Sequence, residues 1–387
     1  MKKILILITD MSCGGVQVSL LNFLNHILKY DVDITLLFDS YSGDWLDRLP
    51  QNIKIRTMPY RCDAHHKLLI PDKKVSFAQN VRYHVLVHLV DQILPHRHER
   101  NKRYTFLLKH MDALEDSYDI AIDYHGYGYF TTAYLVNKVH AEYKAVFVHD
   151  EKLDCLWAVK DDLDGVDAFY SVSRSCKKIF EQKYPNYAKK SYYFPNFMDY
   201  DNILKKANLP CPLTENAGEM TIVTVGRLEW QKGYDLAVNI AEKLSENQVP
   251  FVWYCLGDGT LKNEIQNKID KAELHDKMIL VGRTDNPYPY MKKADLYVQP
   301  SRHEGFGLAV AEALFLKKIV VATNLECIAE QIENGENGIL VPYEVQAFYQ
   351  AIMECINNEG LREKLTRKIE MTSERNSDFY LERLLEN

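Results

Sequence analysis

Short apolar segments alternate with amphipathic segments along the whole chain. In the first half, apolar runs predict β-strands at residues 3–8, 33–38, 119–124, 144–148 and 168–172. Between the first two strands, apolar side chains at helical spacing predict a helix over residues 16–28. Strands that alternate with helices in this way are typical of a parallel sheet covered by helices.

The second half repeats this alternation. Strands are predicted at residues 221–225, 251–256, 278–281, 296–298 and 319–322. Helices are predicted to begin near Gly233, Gly259, Pro287, Phe306 and Leu325, and the chain reads as helical after Pro342. Between the halves, residues 181–218 are rich in proline and polar residues, which indicates a domain junction. We therefore expect an α/β protein of two Rossmann-like domains, at residues 1–200 and 201–372.

The segment 299–314 carries the most informative pattern. A predicted strand precedes it, and from Phe306 to Leu316 every residue is apolar or glycine except Glu312. An apolar helix of this kind is expected to be fully buried, so Glu312 needs a partner. Gly305 and Gly307 leave the backbone open at the helix start, where unpaired amides and the helix dipole suit a phosphate. Glu304 is a poor anion ligand, but it is a good acceptor for sugar hydroxyls.

Simpler interpretations of the two carboxylates stay open at this point. Glu312 could be satisfied by a core arginine or a backbone amide. Glu304 could compensate the charge of the helix start, which contributes about 0.3–1 kcal/mol.

A second candidate segment is the loop from Gly226 to Gly233, which follows the first strand of the second domain. It places Arg227 and Lys232 between glycines at a strand end, and two cations there can neutralise a diphosphate. The alternative is an ordinary solvated basic loop.

Composition excludes several classes of function. The net charge of −7 argues against a general nucleic-acid binder. The eight cysteines show no paired spacing, which argues against a zinc site and favours free thiols in a reducing cytoplasm. No apolar run reaches the roughly 18–20 residues of a membrane span, and we interpret the apolar start as a buried strand rather than a signal peptide. Asp-x-Asp pairs occur, but we expect no metal, because such pairs arise by chance in an Asp-rich chain.

The motifs together resemble those of the group 1 (family four) nucleotide-sugar-dependent glycosyltransferases, which retain anomeric configuration and have the GT-B fold. The matching pieces run in family order and span nearly the whole chain. They are Gly14-Gly15, His149-Asp150, Ser173, Asn196, Gly226-Arg227 with Lys232-Gly233, Leu256-Gly257-Asp258-Gly259, Pro300-Ser301, Glu304-Gly305-Phe306-Gly307 with Glu312-Ala313, and Asn334-Gly335 with Asn337-Gly338.

This resemblance implies a fold and a donor site. Two Rossmann-like domains would face each other across a cleft, with a C-terminal helix within 373–387 packing back on the first. Arg227 and Lys232 would hold the donor diphosphate, Glu304 a sugar hydroxyl, and Glu312 the ribose hydroxyls. The other implied donor-binding residues are Gly14, Gly15, Gly226, Gly257, Phe306, Gly307 and Leu308.

The resemblance also implies the chemistry. His149 would lie near the reacting centre, and the acceptor would attack from the face that the diphosphate leaves, without a protein nucleophile or a metal cofactor. The partners would be a nucleotide-sugar donor and a glycan, lipid-linked or surface-polymer acceptor, in the cytoplasm or at the inner membrane face. The alternatives are a nucleotide-sugar epimerase of the same fold and a non-catalytic accessory partner of a glycosyltransferase.

Two features fall outside the family pattern. Residues 324–327 read Asn-Leu-Glu-Cys where the family usually has a glycine pair, which predicts a reshaped loop. Residues 51–110 carry twelve Lys or Arg against four Asp or Glu. Within them, the stretch 73–110 is a candidate for contact with an anionic membrane surface or an anionic acceptor, although a core-facing helix beside a solvated basic loop explains it equally well.

Overall fold

The computed structural model of this chain describes residues 1–12, 14–58, 61–62, 68–69, 100–109, 113–126, 128, 130–211, 213, 218–371 and 378–387. The chain forms two compact units. The first comprises Met1–Phe197 and Ser377–Asn387, and the second comprises Met198–Asn376. The first unit thus ends at Phe197 in the structure, whereas the sequence analysis placed its end at residue 200.

The first unit is organised around a parallel sheet. Its strands are β1 (Lys2–Ile8), β2 (Val32–Phe38), β3 (Lys54–Thr57), β6 (Ser117–Asp123), β7 (His140–Val148), β8 (Ala168–Ser171) and β9 (Ser191–Tyr193), and β4 (Arg61–Cys62) and β5 (Leu68–Leu69) form a separate antiparallel pair. The described strands of the large sheet lie in the order β3-β2-β1-β6-β7-β8-β9. The chain therefore reverses its direction of travel between β1 and β6.

The helices of the first unit cover this sheet. They are α1 (Gly15–Ile27), α2 (Arg100–Lys109), α3 (Phe130–Lys138), α4 (Arg174–Lys183) and a C-terminal helix described below, with 3-10 turns at Leu46–Arg48, Asp154–Val159, Leu163–Gly165 and Pro185–Lys190. In α1, Leu20, Phe23, Leu24 and Ile27 recur at helical spacing and are fully buried. The Ser173 hydroxyl accepts from the Cys176 amide at 3.1 Å and caps the start of α4.

The second unit has its own parallel sheet. Its strands are β10 (Met220–Val225), β11 (Phe251–Leu256), β12 (Met278–Gly282), β13 (Leu296–Gln299), β14 (Ile319–Thr323) and β15 (Ile339–Val341). Their order is β12-β11-β10-β13-β14-β15, so here the reversal falls between β10 and β13. In an open parallel sheet, ligands bind beyond the carboxyl ends of the strands at such a reversal.

Eight described helices accompany the second sheet. They are α5 (Tyr200–Ala207), α6 (Tyr234–Glu246), α7 (Lys262–Lys271), α8 (Tyr288–Lys293), α9 (Leu308–Phe315), α10 (Glu326–Ala329), α11 (Val345–Asn357) and α12 (Glu359–Met371), with a 3-10 turn at Trp230–Lys232. Trp253 on β11 is fully buried, and its indole N–H donates to the Thr224 hydroxyl at 3.0 Å.

The C-terminal helix α13 (Asp378–Leu385) packs on the first unit. The Tyr380 ring lies 5.6 Å from that of Tyr193 and 6.0 Å from that of Phe194. Arg383 lies over the Tyr192 ring, 5.6 Å from its centroid. These contacts join the end of the chain to strand β9 and the residue that follows it.

The predicted α/β class with two parallel sheets is confirmed, and the predicted strands differ from those observed by a few residues at their ends. The expectation for helix α9 is wrong in one respect. Of its eight residues, Val310, Glu312 and Ala313 are buried, and the others are partly exposed. An all-apolar sequence cannot show which side of a helix its neighbours cover, and here they cover one side. None of the helices in the described ranges is long and apolar enough to cross a membrane.

Candidate functional site

Two loops of the second unit follow the strands on either side of the reversal. One runs from Gly226 to Gly233 after β10, and the other from Pro300 to Gly307 after β13. The loops touch through the backbone, because the Arg302 amide donates to the Gln231 carbonyl at 2.8 Å. The two segments singled out in the sequence are therefore neighbours.

Two glycines make this close approach possible. Gly233 has a left-handed backbone with φ of 68°, and a Cβ there would lie 1.8 Å from the Pro300 carbonyl oxygen. Gly257, at the end of β11, has φ of 142°, and a Cβ there would lie 2.0 Å from the Gly226 carbonyl oxygen. Each glycine thus lets one backbone segment lie directly against another.

The central contact of the site is an ion pair between Lys232 and Glu304. The Lys232 ammonium lies 2.7 Å and 2.9 Å from the two Glu304 carboxylate oxygens. The side chains are 17% and 6% exposed, so the pair is largely withdrawn from water. The sequence predicted both residues for the site but not that they bind each other.

A chain of hydrogen bonds that starts on strand β13 fixes the Glu304 carboxylate. The Ser301 hydroxyl donates to Glu304 Oε1 at 2.7 Å, and Gln299 Nε2 donates to Ser301 Oγ at 2.8 Å. The Tyr297 hydroxyl donates to Gln299 Oε1 at 2.6 Å, and burial holds the pKa of Tyr297 well above its usual value. Strand β13 therefore supplies a buried, ordered support for the carboxylate.

Arg302 also joins the two loops. Its guanidinium donates to both Asp235 carboxylate oxygens, at 2.8 Å and 2.6 Å, and to the Trp230 carbonyl at 2.6 Å. It also lies between two rings, 4.6 Å from the Trp230 centroid and 4.9 Å from that of Tyr343. The sequence analysis missed Arg302, although its position two residues before Glu304 was a usable signal.

Arg227 differs from Lys232 in having no such partners. Its side chain is exposed, and within the described part of the chain no hydrogen bond or ion pair involves the guanidinium, although the Arg227 carbonyl accepts from the Glu229 amide at 2.7 Å. It follows Gly226, which lies against the Lys232 side chain. The loop thus carries one cation that is held in place and one that is available to a ligand.

The start of helix α9 completes this edge of the second unit. Gly307 is its N-cap, with φ of 82°, and the Leu308 and Ala309 amides fall in the first turn, where a helix has no acceptor for them. The Phe306 carbonyl accepts from Gln331 Nε2, and the Glu304 carbonyl accepts from Cys327 Sγ at 3.3 Å. The unusual segment 324–327 therefore packs beneath the Glu304 loop.

Glu312 lies further along α9 and is 6% exposed. Its Oε1 accepts a hydrogen bond from the Tyr288 hydroxyl at 3.0 Å. Burial raises the pKa of Glu312 to about 7, while the Tyr288 hydrogen bond and the charge of Lys206 lower it in part. Its partner is thus a tyrosine, and neither a core arginine nor a backbone amide.

In the first unit, the predicted residues Gly14, Gly15 and His149 lie at the carboxyl ends of β1 and β7. His149 Nε2 donates to the Tyr124 carbonyl at 2.7 Å, since a carbonyl can only accept. The Tyr124 hydroxyl bonds Ser19 on α1 at 2.7 Å, which links the histidine to the helix that Gly14 begins. Burial lowers the pKa of His149 to about 3, so the imidazole is neutral at physiological pH.

No cluster of three or more His, Cys, Asp or Glu side chains suited to a metal ion occurs in the described ranges. Most of the basic stretch 73–110 lies outside those ranges, which include residues 100–109 as helix α2.

Comparisons with known proteins match this chain in its fold, and a family model matches most of the second unit. Residues 206–371 match the family model of glycosyl transferases, group 1. The chain is 26% identical over 243 residues to an uncharacterized glycosyltransferase of Methanocaldococcus jannaschii, an alignment covering 54% of this chain and 59% of the relative. It is 29% identical over 182 residues to the N-acetylgalactosamine-N,N'-diacetylbacillosaminyl-diphospho-undecaprenol 4-α-N-acetylgalactosaminyltransferase of Campylobacter jejuni, and the alignment covers 46% of this chain and 48% of the relative. These alignments thus span about half the length of each relative.

Solved structures match over the full chain. Anabaena HepE in complex with UDP and glucose superposes with a TM-score of 0.71 at 16% identity, over 100% of this chain and 99% of that one. A variant of S. aureus TarM in complex with fondaparinux, α-GlcNAc-glycerol and UDP has a TM-score of 0.71 at 15% identity, over the same shares. These likenesses establish the GT-B fold.

The buried ion pair should contribute more to stability than an exposed one of the same length. A double-mutant cycle with Glu304→Gln and Lys232→Met, followed by denaturant unfolding, should give a coupling free energy of about 1–3 kcal/mol, because each single change leaves a polar partner unsatisfied. Lys364 and Glu336 form the matched control, since they also lie 2.7 Å apart but are 52% and 33% exposed. Equal coupling in the two cycles would contradict this interpretation.

Arg302→Lys should loosen the 226–233 loop without unfolding the unit. Lysine keeps the charge but cannot form the two-pronged bond to Asp235 or stack between two rings. Amide hydrogen exchange over residues 229–233 should rise at least about tenfold, which corresponds to a loss of about 1.4 kcal/mol in local stability. Arg362→Lys is the control, because Arg362 binds the Cys355 and Ile356 carbonyls elsewhere. Unchanged exchange in the loop would show that Arg302 does not hold it.

Glu312 should make stability depend on pH. Its folded pKa of about 7 lies above the reference value of 4.5, so the folded state keeps a proton that the unfolded state has lost. The contribution of Glu312 to the free energy of unfolding is therefore fully present below about pH 4.5 and is lost as the pH rises to about 7. Glu312→Gln should remove this dependence and unfold at a higher temperature than wild type at pH 8. Parallel pH curves for the two proteins from pH 5 to 8 would refute the assignment.

Proposed function

We propose that this chain moves a sugar from a nucleotide-diphosphate-sugar to a hydroxyl group with retention of configuration. Its residues 206–371 match the family model of glycosyl transferases, group 1, and its fold is GT-B. The observation that carries the proposal is the Lys232–Glu304 pair at the reversal of the second sheet, with Arg227 beside it. This arrangement supports the proposal, because cations suited to a diphosphate lie next to a carboxylate suited to sugar hydroxyls.

The cations suit a leaving diphosphate. An ammonium has three N–H donors, and the contact with Glu304 uses two of them, so Lys232 keeps one for a phosphate oxygen. Arg227 adds a guanidinium that the described structure leaves unpaired, and the first-turn amides of α9 add neutral donors. Cations aimed at the departing diphosphate lower the barrier, because negative charge develops there as the anomeric bond breaks.

The carboxylates suit the hydroxyls of the donor. Glu304 accepts two bonds from Lys232 and one from Ser301, which leaves acceptor capacity for a sugar hydroxyl. Glu312 accepts from Tyr288 and lies further along α9, where it can receive the ribose hydroxyls. The two residues would then bind different parts of one donor instead of forming the paired carboxylates of a glycosidase.

In the proposed reaction, the bond between the anomeric carbon and the diphosphate oxygen breaks while the acceptor oxygen bonds to the same face of that carbon. The acceptor proton passes to the departing phosphate oxygen, so the step balances without a protein nucleophile. We propose that no metal takes part, because Lys232, Arg227 and the α9 amides supply the charge compensation that a metal gives elsewhere.

We further propose a glycan, lipid-linked saccharide or surface polymer as acceptor, in the synthesis of cell-surface polysaccharide. This rests on relatives whose names state such acceptors, the C. jejuni diphospho-undecaprenol enzyme and a S. aureus poly(ribitol-phosphate) α-N-acetylglucosaminyltransferase. The roles of Gly14, Gly15 and His149 in transfer stay predictions. The same holds for contact between residues 73–110 and an anionic membrane.

A thermal-shift panel of nucleotide-sugars tests the donor site directly. One donor at about 100 times its Kd stabilises the protein by about 2.7 kcal/mol, which is roughly 5–10 °C for a unit of this size. Lys232→Ala should lose this shift, because it removes the cation that binds the diphosphate. Lys364→Ala is the control, since it removes the same charge from an exposed pair in the same unit.

The outcomes separate the candidate functions. A shift that survives Lys232→Ala would remove Lys232 from the donor site. A shift accompanied by donor turnover without acceptor would indicate an epimerase. No shift with any donor would favour an accessory protein.

A further inference from the structure

The 324–331 segment binds the turn that carries Glu304 through two side-chain hydrogen bonds. Cys327 Sγ donates to the Glu304 carbonyl at 3.3 Å, and Gln331 Nε2 donates to the Phe306 carbonyl. Both side chains are withdrawn from water, since Cys327 is fully buried and Gln331 is 8% exposed. The Cys327 contact comes from the Asn-Leu-Glu-Cys run in which this chain departs from the family pattern.

These bonds determine the direction of the peptide groups in the turn. In a planar trans peptide, the carbonyl of one residue and the amide of the next point in opposite directions. Because Gln331 binds the Phe306 carbonyl, the Gly307 N–H points away from Gln331. The Cys327 contact fixes the direction of the Glu304–Gly305 peptide in the same way.

The Gly307 amide is a backbone donor without a protein acceptor. Gly307 is buried, and within the described ranges no hydrogen bond involves its amide. A buried backbone N–H without a partner is rare in folded proteins. The residue is also held from beneath, because a Cβ on Gly307 would lie 2.4 Å from Ile328 Cδ1. The donor is therefore fixed in place and available to a ligand atom.

The Gln331 side chain serves orientation more than stability. Its Nε2 satisfies the Phe306 carbonyl, but its Oε1 is buried and has no partner in the part of the chain that the structure describes. A buried unsatisfied oxygen destabilises the folded state and offsets the gain from the hydrogen bond. The backbone of this residue is fixed separately, since the Gln331 carbonyl accepts from Asn337 Nδ2 at 3.1 Å.

We propose that Gln331 and Cys327 are positioning residues of the donor site. Gln331 directs the Gly307 amide to a phosphate oxygen of the donor diphosphate, and Cys327 fixes the preceding peptide of the same turn. The inference rests on the proposed function, because it takes a nucleotide-diphosphate-sugar as the ligand. A backbone donor that is oriented in advance binds at a lower entropic cost and needs no rearrangement as charge develops on the diphosphate.

The sequence offers a direct probe of this amide, because Phe306-Gly307 is the one Phe-Gly pair in the chain. Labelling with phenylalanine that carries carbon-13 at the carbonyl and with glycine that carries nitrogen-15 selects the Gly307 amide as a single resonance in the NMR spectrum of the full chain. UDP and inorganic pyrophosphate are the ligands, and pyrophosphate does not depend on the identity of the base. At least one of them should bind and move the resonance downfield.

Gln331→Met is the main variant, because it keeps a side chain of similar length and removes the donor. It should weaken binding of that ligand about tenfold in calorimetric titration, as expected when a hydrogen bond to a charged group is lost. The ligand-induced shift of the Gly307 resonance should decrease, while the unfolding temperature without ligand stays near that of wild type. A purely structural role would change the unfolding temperature and not the direction of this amide.

Gln266→Met is the matched control, because Gln266 is an exposed glutamine of the same unit whose Nε2 donates to Asp270 at 2.8 Å. It should leave both the affinity and the resonance unchanged. Cys327→Ala should weaken binding of the same ligand, and Cys327→Ser should weaken it less, since serine keeps a hydrogen-bond donor. The wild-type resonance and this pair of variants decide the question if Gln331→Met does not fold.

The outcomes separate this inference from the proposed function. Equal affinity of wild type and Gln331→Met would overturn the inference, and so would a Gly307 resonance that stays in place while the ligand binds. If Lys232→Ala loses the ligand in the same series, the diphosphate site stands and only the role of Gln331 fails. Binding of neither ligand to wild type would overturn both the inference and the diphosphate site.

Discussion

The candidate site depends on one interaction, the ion pair between Lys232 and Glu304. A carboxylate with a 6% exposed side chain is costly without a cation, and an ammonium with a 17% exposed side chain is costly without an anion. Each residue therefore needs the other, and together they hold the loops after β10 and β13 side by side. Ser301 binds the carboxylate and is itself bound by Gln299, which Tyr297 holds on β13. Because these bonds fix the carboxylate, the ammonium is fixed as well. The pair is preorganised before any ligand arrives, which is what electrostatic catalysis needs.

Much of the fold could be predicted because its causes are local. Continuous apolar runs marked the buried parallel strands, and glycines marked loops where backbones approach one another, as at Gly233 and Gly257. Motif spacing also found Lys232 and Glu304. What the sequence could not show is that they touch, because 72 residues separate them. Arg302 with Asp235, and Tyr288 with Glu312, were missed for the same reason.

Glu304 and Glu312 have the same side chain in two different environments. Glu304 meets an ammonium and a hydroxyl, whereas Glu312 is buried, accepts a hydrogen bond from a tyrosine hydroxyl and feels the charge of Lys206 without an ion pair at hydrogen-bond distance in the described structure. Burial consequently raises the pKa of Glu312 to about 7, close to the pH at which a cell works. A ligand hydroxyl that donates to Glu312 stabilises its ionised form and lowers that pKa. If the donor's ribose binds there as proposed, its binding near pH 7 must release a fraction of a proton, and its affinity must rise as the pH increases through 7.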